Sequence, residues 1–169
     1  MTAWPQQIIE QLKAYNVRFL SYVPDACGEH ILRAAREDAF FDILPLAREE
    51  EGVGVVTGQY LVGERGAILM PTSGVGNSIN AFASLAIPYQ IPMPVFIGWR
   101  GALGEFNATQ VPMGQALVPI LESLNIPHFI LSRPEEVEVR VSGALKLAFV
   151  LEQPVAVLIS MELAGWKEK

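Results

Sequence analysis

Glu49, Glu50 and Glu51 stand side by side at the head of a run in which glycine recurs at positions 52, 54, 58 and 63. A partly enclosed carboxylate can hold or move a proton at a bound ring or substrate. The same three residues suit the first turn of a helix, where each negative charge meets the positive end of the macrodipole for about 0.3–1 kcal/mol. Spacing alone leaves both readings open. Thr72 to Asn77 reads T-S-G-V-G-N. Such a turn either starts a helix or presents backbone N–H groups to an anion. It has no P-loop lysine and does not match G-x-G-x-x-G, so a nucleotide fingerprint is absent. Asp25 follows Pro24 at the end of an apolar run, and Arg100 opens the long segment R-G-A-L-G-E-F-N-A-T-Q-V-P. Long ordered loops tend to be functional, although Arg100 taken alone reads as a solvated loop arginine. Cys27 reads as a small buried thiol and Met113 as a packing residue. His30 and His128 are not arranged as metal ligands or as part of a triad, and no G-x-S-x-G elbow is present.

These residues need elements that bring them together. Ile8, Ile9, Leu12 and Tyr15 recur on one face of a helix over 4–15, with Pro5 suited to its first turn. Expected strands cover 17–23, 40–46, 67–70, 95–99, 127–131 and 155–160. Expected helices cover about 28–37, 49–62, 77–87, 114–124 (bent by Pro119) and 134–151, while 100–112 is a loop and 165–169 a fraying tail. The strand over 67–70 is apolar throughout, as expected when both faces of a sheet are covered. Alternating strands and helices imply one α/β domain over 1–169: three layers, with a mostly parallel six-stranded sheet and helices on both faces. In such sheets ligands bind beyond the carboxyl ends of the strands. There the sequence places Asp25, Glu49, Thr72-Ser73-Gly74 and Arg100 in turn, and only Ser132-Arg133 and Ser160-Met161 at the last two ends. Glycine in a helix costs about 1 kcal/mol relative to alanine. The glycines after Glu51 therefore imply close approach to a sheet, a ligand or a partner chain.

The bulk properties exclude several classes. The net charge is −6 and no basic stripe appears, which argues against nucleic-acid binding. No apolar run approaches the roughly 18 residues of a spanning helix, and the N-terminus does not read as a secretory signal. One cysteine fits a reducing compartment, so a cytoplasmic globular domain is expected. The hydrophobic fraction of 51% and mean hydropathy of +0.31 leave apolar surface for a partner.

R-E-E-E-G-V-G-V-V-T-G-Q-Y-L (48–61) followed by T-S-G-V-G-N-S-I-N-A (72–81) resembles the pyrimidine-binding domain of thiamine diphosphate enzymes. Y-V-P-D (22–25), W-R-G (99–101) and Q-V-P-M-G (110–114) extend the match over nearly the whole chain. Within that superfamily it is most similar to the alpha chains of sulfopyruvate decarboxylases, with the phosphonopyruvate decarboxylases next. The family places a glutamate nine residues before a glycine, which selects Glu49 by counting back from Gly58. By resemblance, Glu49 is catalytic and hydrogen-bonds N1′ of the cofactor's aminopyrimidine, favouring the tautomer whose 4′-nitrogen can accept a proton. Thr72, Ser73, Gly74 and Asn77 would border the cofactor, and Asp25 would relay protons near the reacting carbon. Where simple 2-oxo acid decarboxylases tend to carry a histidine pair, this chain has Trp99-Arg100-Gly101. Arg100, with Gln110 second, would then hold an anionic 2-oxo acid by multi-donor hydrogen bonding. The G-D-G motif and downstream asparagine that hold Mg²⁺ and the diphosphate in this superfamily do not occur in the sequence. The resemblance therefore implies no metal ligands here, a beta subunit carrying that half, and alpha–alpha contacts.

Overall fold

The structure is a computed structural model that describes residues 3–165; all but the first residue of the tail 165–169 that is expected to fray lies outside the described residues. Strands alternate apolar side chains between two faces. On β3 (Gly66–Pro71), Ala67 and Leu69 enter one core while Ile68 and Met70 enter the other. On β6 (Pro154–Ser160), Val155, Val157 and Ile159 oppose Ala156 and Leu158 in the same way. A strand buried on both faces needs a helix layer on each, and the chain supplies them. Helices α1 (Trp4–Ala14), α2 (Gly28–Arg36) and α6 (Val137–Leu151) cover one face. Helices α3 (Glu49–Leu61), α4 (Thr72–Ala81) and α5 (Val111–Ser123) cover the other. With β1 (Phe19–Tyr22), β2 (Asp42–Pro45), β4 (Met93–Trp99) and β5 (His128–Leu131), the sheet has six strands in the order β2-β1-β3-β4-β6-β5. Every pairing is parallel, so the three-layer α/β expectation holds.

Two helices begin earlier than sequence pattern suggests. α4 starts at Thr72, directly after Pro71 at the end of β3, and not near residue 77. Its two early glycines lower intrinsic propensity, but each faces another element: Gly74 lies under Glu49 and Gly76 faces Met113 of α5. Tertiary packing thus supplies what propensity withholds. The last turns of this helix widen into a π-helical segment over Phe82–Ala86. α5 starts at Val111 because Pro112 is tolerated in a first turn. Asn107 Oδ1 accepts from Thr109 N at 3.1 Å and caps the short 3-10 turn Ala108–Gln110 that leads in. A short helix, α7 (Met161–Ala164), follows β6 where a strand end alone was expected; Ser160 Oγ accepts from Leu163 N at 3.3 Å.

The segment after β4 is pressed onto the start of α5. Gly101 (φ +78°) and Gly104 (φ +79°) adopt the left-handed backbone that glycine favours. A Cβ at Gly114 would meet the carbonyl oxygen of Arg100, which is backbone and cannot move aside cheaply. By contrast, a Cβ at Gly54 of α3 would meet nothing within 4 Å. Gly114→Ala is therefore expected to lower the stability of the chain by about 1–3 kcal/mol through overpacking. Gly54→Ala is expected to be neutral or to raise it by up to about 1 kcal/mol. Denaturant midpoints of the two variants check the contrast.

Candidate active site at the carboxyl ends of the strands

The strand order places β2, β1, β3 and β4 next to one another. Because all run the same way, the residues that follow them meet along one edge of the sheet. The chain leaves β1 for β2 on one side and returns to β3 on the other, so the topological switch lies between β1 and β3. Asp25 follows β1, Glu49 follows β2, Thr72 follows β3 and Arg100 follows β4. The structure thus brings together the four groups read from the sequence.

The three glutamates separate by environment. Glu51 Oε2 accepts from the N–H groups of Ala47 (2.9 Å) and Arg48 (3.3 Å), a cap on the start of α3. Glu50 Oε1 pairs with Arg48 Nε at 2.9 Å. Glu49 is the most enclosed of the three, at 7% exposed. Its side chain lies across α4, where a Cβ on Gly74 would sit 2.5 Å from Glu49 Cγ. Asn77 Nδ2 donates to Glu49 Oε2 at 2.9 Å, while Oε1 makes no hydrogen bond among the described residues. An enclosed carboxylate with one oxygen fixed and one unclaimed can share a proton with a ligand nitrogen.

Asp25 Oδ2 accepts from the N–H groups of Cys27 (3.0 Å) and Gly28 (3.2 Å), which seats the carboxylate over the start of α2. A Cβ on Gly98 of β4 would collide with the same Asp25 oxygen, so the carboxylate packs directly on that strand. Thr72 is buried, and its hydroxyl is engaged twice. It donates to the Gly98 carbonyl at 2.6 Å and accepts from Arg100 N at 2.8 Å, which pins the end of β4 to the start of α4. Ser73 is exposed beside it. Gln110 is half-buried; its backbone N–H donates to Asn107 O at 3.0 Å, and its side chain makes no hydrogen bond among the described residues.

Arg100 is not the solvated loop residue that its sequence position alone suggests. Its side chain is 12% exposed and forms a two-point ion pair with Glu105, itself 2% exposed. Arg100 Nε donates to Glu105 Oε2 at 2.7 Å and Nη2 to Oε1 at 2.6 Å. Glu105 also accepts from the N–H groups of Gly101 (2.9 Å) and Asn107 (2.9 Å). The hydrogen bond from Arg100, aided by those two N–H groups and opposed by burial, lowers the Glu105 carboxyl to about 2. Its partner's guanidinium is raised above its ordinary value, chiefly by the hydrogen bond to Glu105. The Arg100 guanidinium lies 5.1 Å from the Phe106 ring. Together with Ala26, Cys27, His30 and Met161 these two residues border a small cavity. Sequence reasoning missed Glu105. The only signal was an opposite charge five residues after Arg100, and the fold-back at Gly101 and Gly104 that joins them is not a pattern in residue types. Among the described residues no group of three or more His, Cys, Asp and Glu could hold a metal ion. Nor is any helix among them long and apolar enough to cross a membrane.

The fold is shared with 2-oxoglutarate:ferredoxin oxidoreductase from Magnetococcus marinus, with a TM-score of 0.78 at 16% identity, over 96% of this chain and 29% of that one. At that identity the likeness defines a class: a three-layer parallel α/β domain that occurs as one part of a larger chain. No protein-family model matches the sequence. Relatives narrow the class further. The chain is 42% identical to the sulfopyruvate decarboxylase subunit alpha of Methanococcus maripaludis over 85% of its length and 86% of that protein. It is 39% identical to the corresponding subunit of Methanocaldococcus jannaschii over 89% of both. The chain belongs to the sulfopyruvate decarboxylase alpha-subunit family. A sulfopyruvate decarboxylase from Methanosarcina acetivorans is 32% identical over 92% of this chain, which spans only 39% of that longer protein.

The depressed carboxyl of Glu105 has a pH signature. A carboxylate whose folded value (about 2) lies below its ordinary 4.5 contributes stability that is present above the ordinary value and lost as pH falls through the folded one. Wild type should therefore exceed Glu105→Gln in Tm at neutral pH, with the gap closing as pH drops from about 4.5 toward 2. Thermal unfolding of both proteins across that range tests it; a gap that stays constant would contradict the assignment.

Proposed function

We propose that the chain is the alpha subunit of a thiamine diphosphate-dependent decarboxylase that converts sulfopyruvate to sulfoacetaldehyde and CO₂. The observation that carries the proposal is Glu49, in a member of this family: an enclosed carboxylate at the sheet edge, with Oε2 held by Asn77 and Oε1 unclaimed. Those features fit the aminopyrimidine half of the cofactor. Thiamine diphosphate, when bound, would supply the electron sink for loss of CO₂ from a 2-oxo acid. Glu49 would hold a proton at Oε1 for a ring nitrogen of the bound cofactor, while Asn77 and Gly74 keep the carboxylate in place. Asp25, anchored through Oδ2, keeps Oδ1 for carrying the proton that replaces CO₂ on the carbonyl carbon.

Arg100 anchors the acidic end of the substrate. Its pairing with Glu105 engages Nε and one N–H of Nη2, which leaves three of the five guanidinium N–H donors for an oxyanion. Gln110 is the second candidate contact. The residues 1–169 would serve as the pyrimidine-binding domain, with the diphosphate and Mg²⁺ held by a beta subunit. The much longer relative from Methanosarcina acetivorans is consistent with both halves being needed. The open face of α3, with Leu61 75% and Val62 74% exposed beyond Gly54 and Gly58, suits contacts with a partner chain, beta or a second alpha.

Co-expression with the candidate beta chain, followed by assay of sulfopyruvate and phosphonopyruvate with thiamine diphosphate and Mg²⁺, tests the proposal. Turnover of sulfopyruvate is expected, and turnover of neither acid would end it. Glu49→Gln should reduce kcat at least about 100-fold while the two chains still assemble; near-normal activity would remove its role. Arg100→Ala should raise KM for sulfopyruvate by about 10- to 100-fold, the scale of a charged hydrogen-bonded contact.

A further inference from the structure

The ion pair that holds Arg100 also sets the charge its ligand meets. Glu105 occupies one edge of the guanidinium, is tied by two backbone N–H groups and is almost wholly enclosed. A substrate cannot displace it without breaking four hydrogen bonds and leaving a buried charge unpaired. A second carboxylate, Asp25 on the turn after β1, packs on Gly98, two residues before Arg100 in the chain, and adds to the raising of the Arg100 guanidinium. Also around the cavity are Cys27 just before α2, His30 of α2, Phe106 of the same loop and Met161 of α7. Arg100 is thus already paired with one buried carboxylate, with a second on the neighbouring turn, at the place where an acidic substrate group would dock.

We infer that Glu105 is a specificity-determining residue that makes the Arg100 site accept a singly charged sulfonate and disfavour a doubly charged phosphonate. The inference rests on the reading of Arg100 as anchor of the substrate's acidic end. A sulfonate carries one negative charge at every working pH. A phosphonate gains its second charge near neutrality, with phosphoryl groups losing that proton at about pH 6. Both have three oxygens of similar reach, so the remaining guanidinium donors cannot separate them by shape. The second charge can: it falls on oxygens held against Arg100 and next to a carboxylate that neither leaves nor protonates, and like charges at such a distance disfavour one another.

The test uses the assembled complex of this chain with its beta subunit. Phosphonopyruvate is titrated as a competitor of sulfopyruvate between about pH 5.5 and 8, with a non-reactive sulfonate analogue as reference. In wild type the KI of the phosphonate should rise relative to that of the sulfonate with increasing pH, approaching about tenfold per unit above its second ionisation. Glu105→Gln should flatten that rise and shift the ratio of the two KI values by about tenfold or more toward the phosphonate at pH 7.5. A purely structural role would weaken both ligands together and leave the ratio unmoved. If the ratio is flat with pH in wild type, the inference fails, and this measurement needs no variant should Glu105→Gln not assemble. Arg100→Ala separates the two readings: unchanged KI for both anions would remove the anchor itself. Weakening of both, with an unchanged ratio in Glu105→Gln, would remove only the role of Glu105.

Discussion

Burying Glu49 between α3 and α4 requires a helix that is already formed at Thr72 and has no side chain at position 74. Gly74 meets the second condition, since any Cβ there would press on Glu49 Cγ. Asn77, three residues on and therefore on the same side of α4, supplies the donor that the enclosed carboxylate needs. An early start to α4 also places Thr72 where its hydroxyl reaches the Gly98 carbonyl and the Arg100 N–H. One helix therefore references two candidate site groups, Glu49 from the end of β2 and Arg100 from the end of β4, which are separated by two intervening strands.

The loop after β4 solves a different problem. A long side chain such as that of Arg100 is held in one direction only by losing rotamer freedom, and it does so only against firm partners. Glu105 supplies two of them, and the Phe106 ring covers the guanidinium. A buried ion pair of this kind is weak evidence for stability, because desolvation offsets much of the attraction. Its effect is to fix orientation and to cancel charge.

The sheet was legible in the sequence because two-sided burial writes itself as short apolar runs, as at Ile68, Leu69 and Met70. The sheet-edge residues were legible because polar groups follow the first four strands, at 25, 48–49, 72 and 100. Spacing did not distinguish Glu49 from its two neighbours; the count from Gly58 came from family resemblance, and the physical sorting came from the cap, the Arg48 pair and the Gly74 contact. The start of α4 was illegible because T-S-G-V-G-N is a poor helix former whose helicity depends on distant Glu49 and Met113. Glu105 was illegible because its partner is brought to it by two left-handed glycines rather than by helical or strand periodicity.

Glycine has unlike causes within the short helix α3. Gly52 is an internal fit, since a Cβ there would come 3.0 Å from Leu46 Cδ1 and 3.1 Å from Ile68 Cγ2. Gly54 and Gly58 have open space around them, so nothing inside the described chain offsets the helix propensity they forgo, about 1 kcal/mol each. Small residues on a helix let another backbone come close, and this helix carries Glu49 at its start and exposed Leu61 at its end. That open face lies on the far side of α3 from the buried residues Glu49, Gly52, Val53, Val56 and Thr57. Gly52 is therefore small because of what lies inside the fold, whereas Gly54 and Gly58 are small on its outside, where α3 is open to the backbone of another chain.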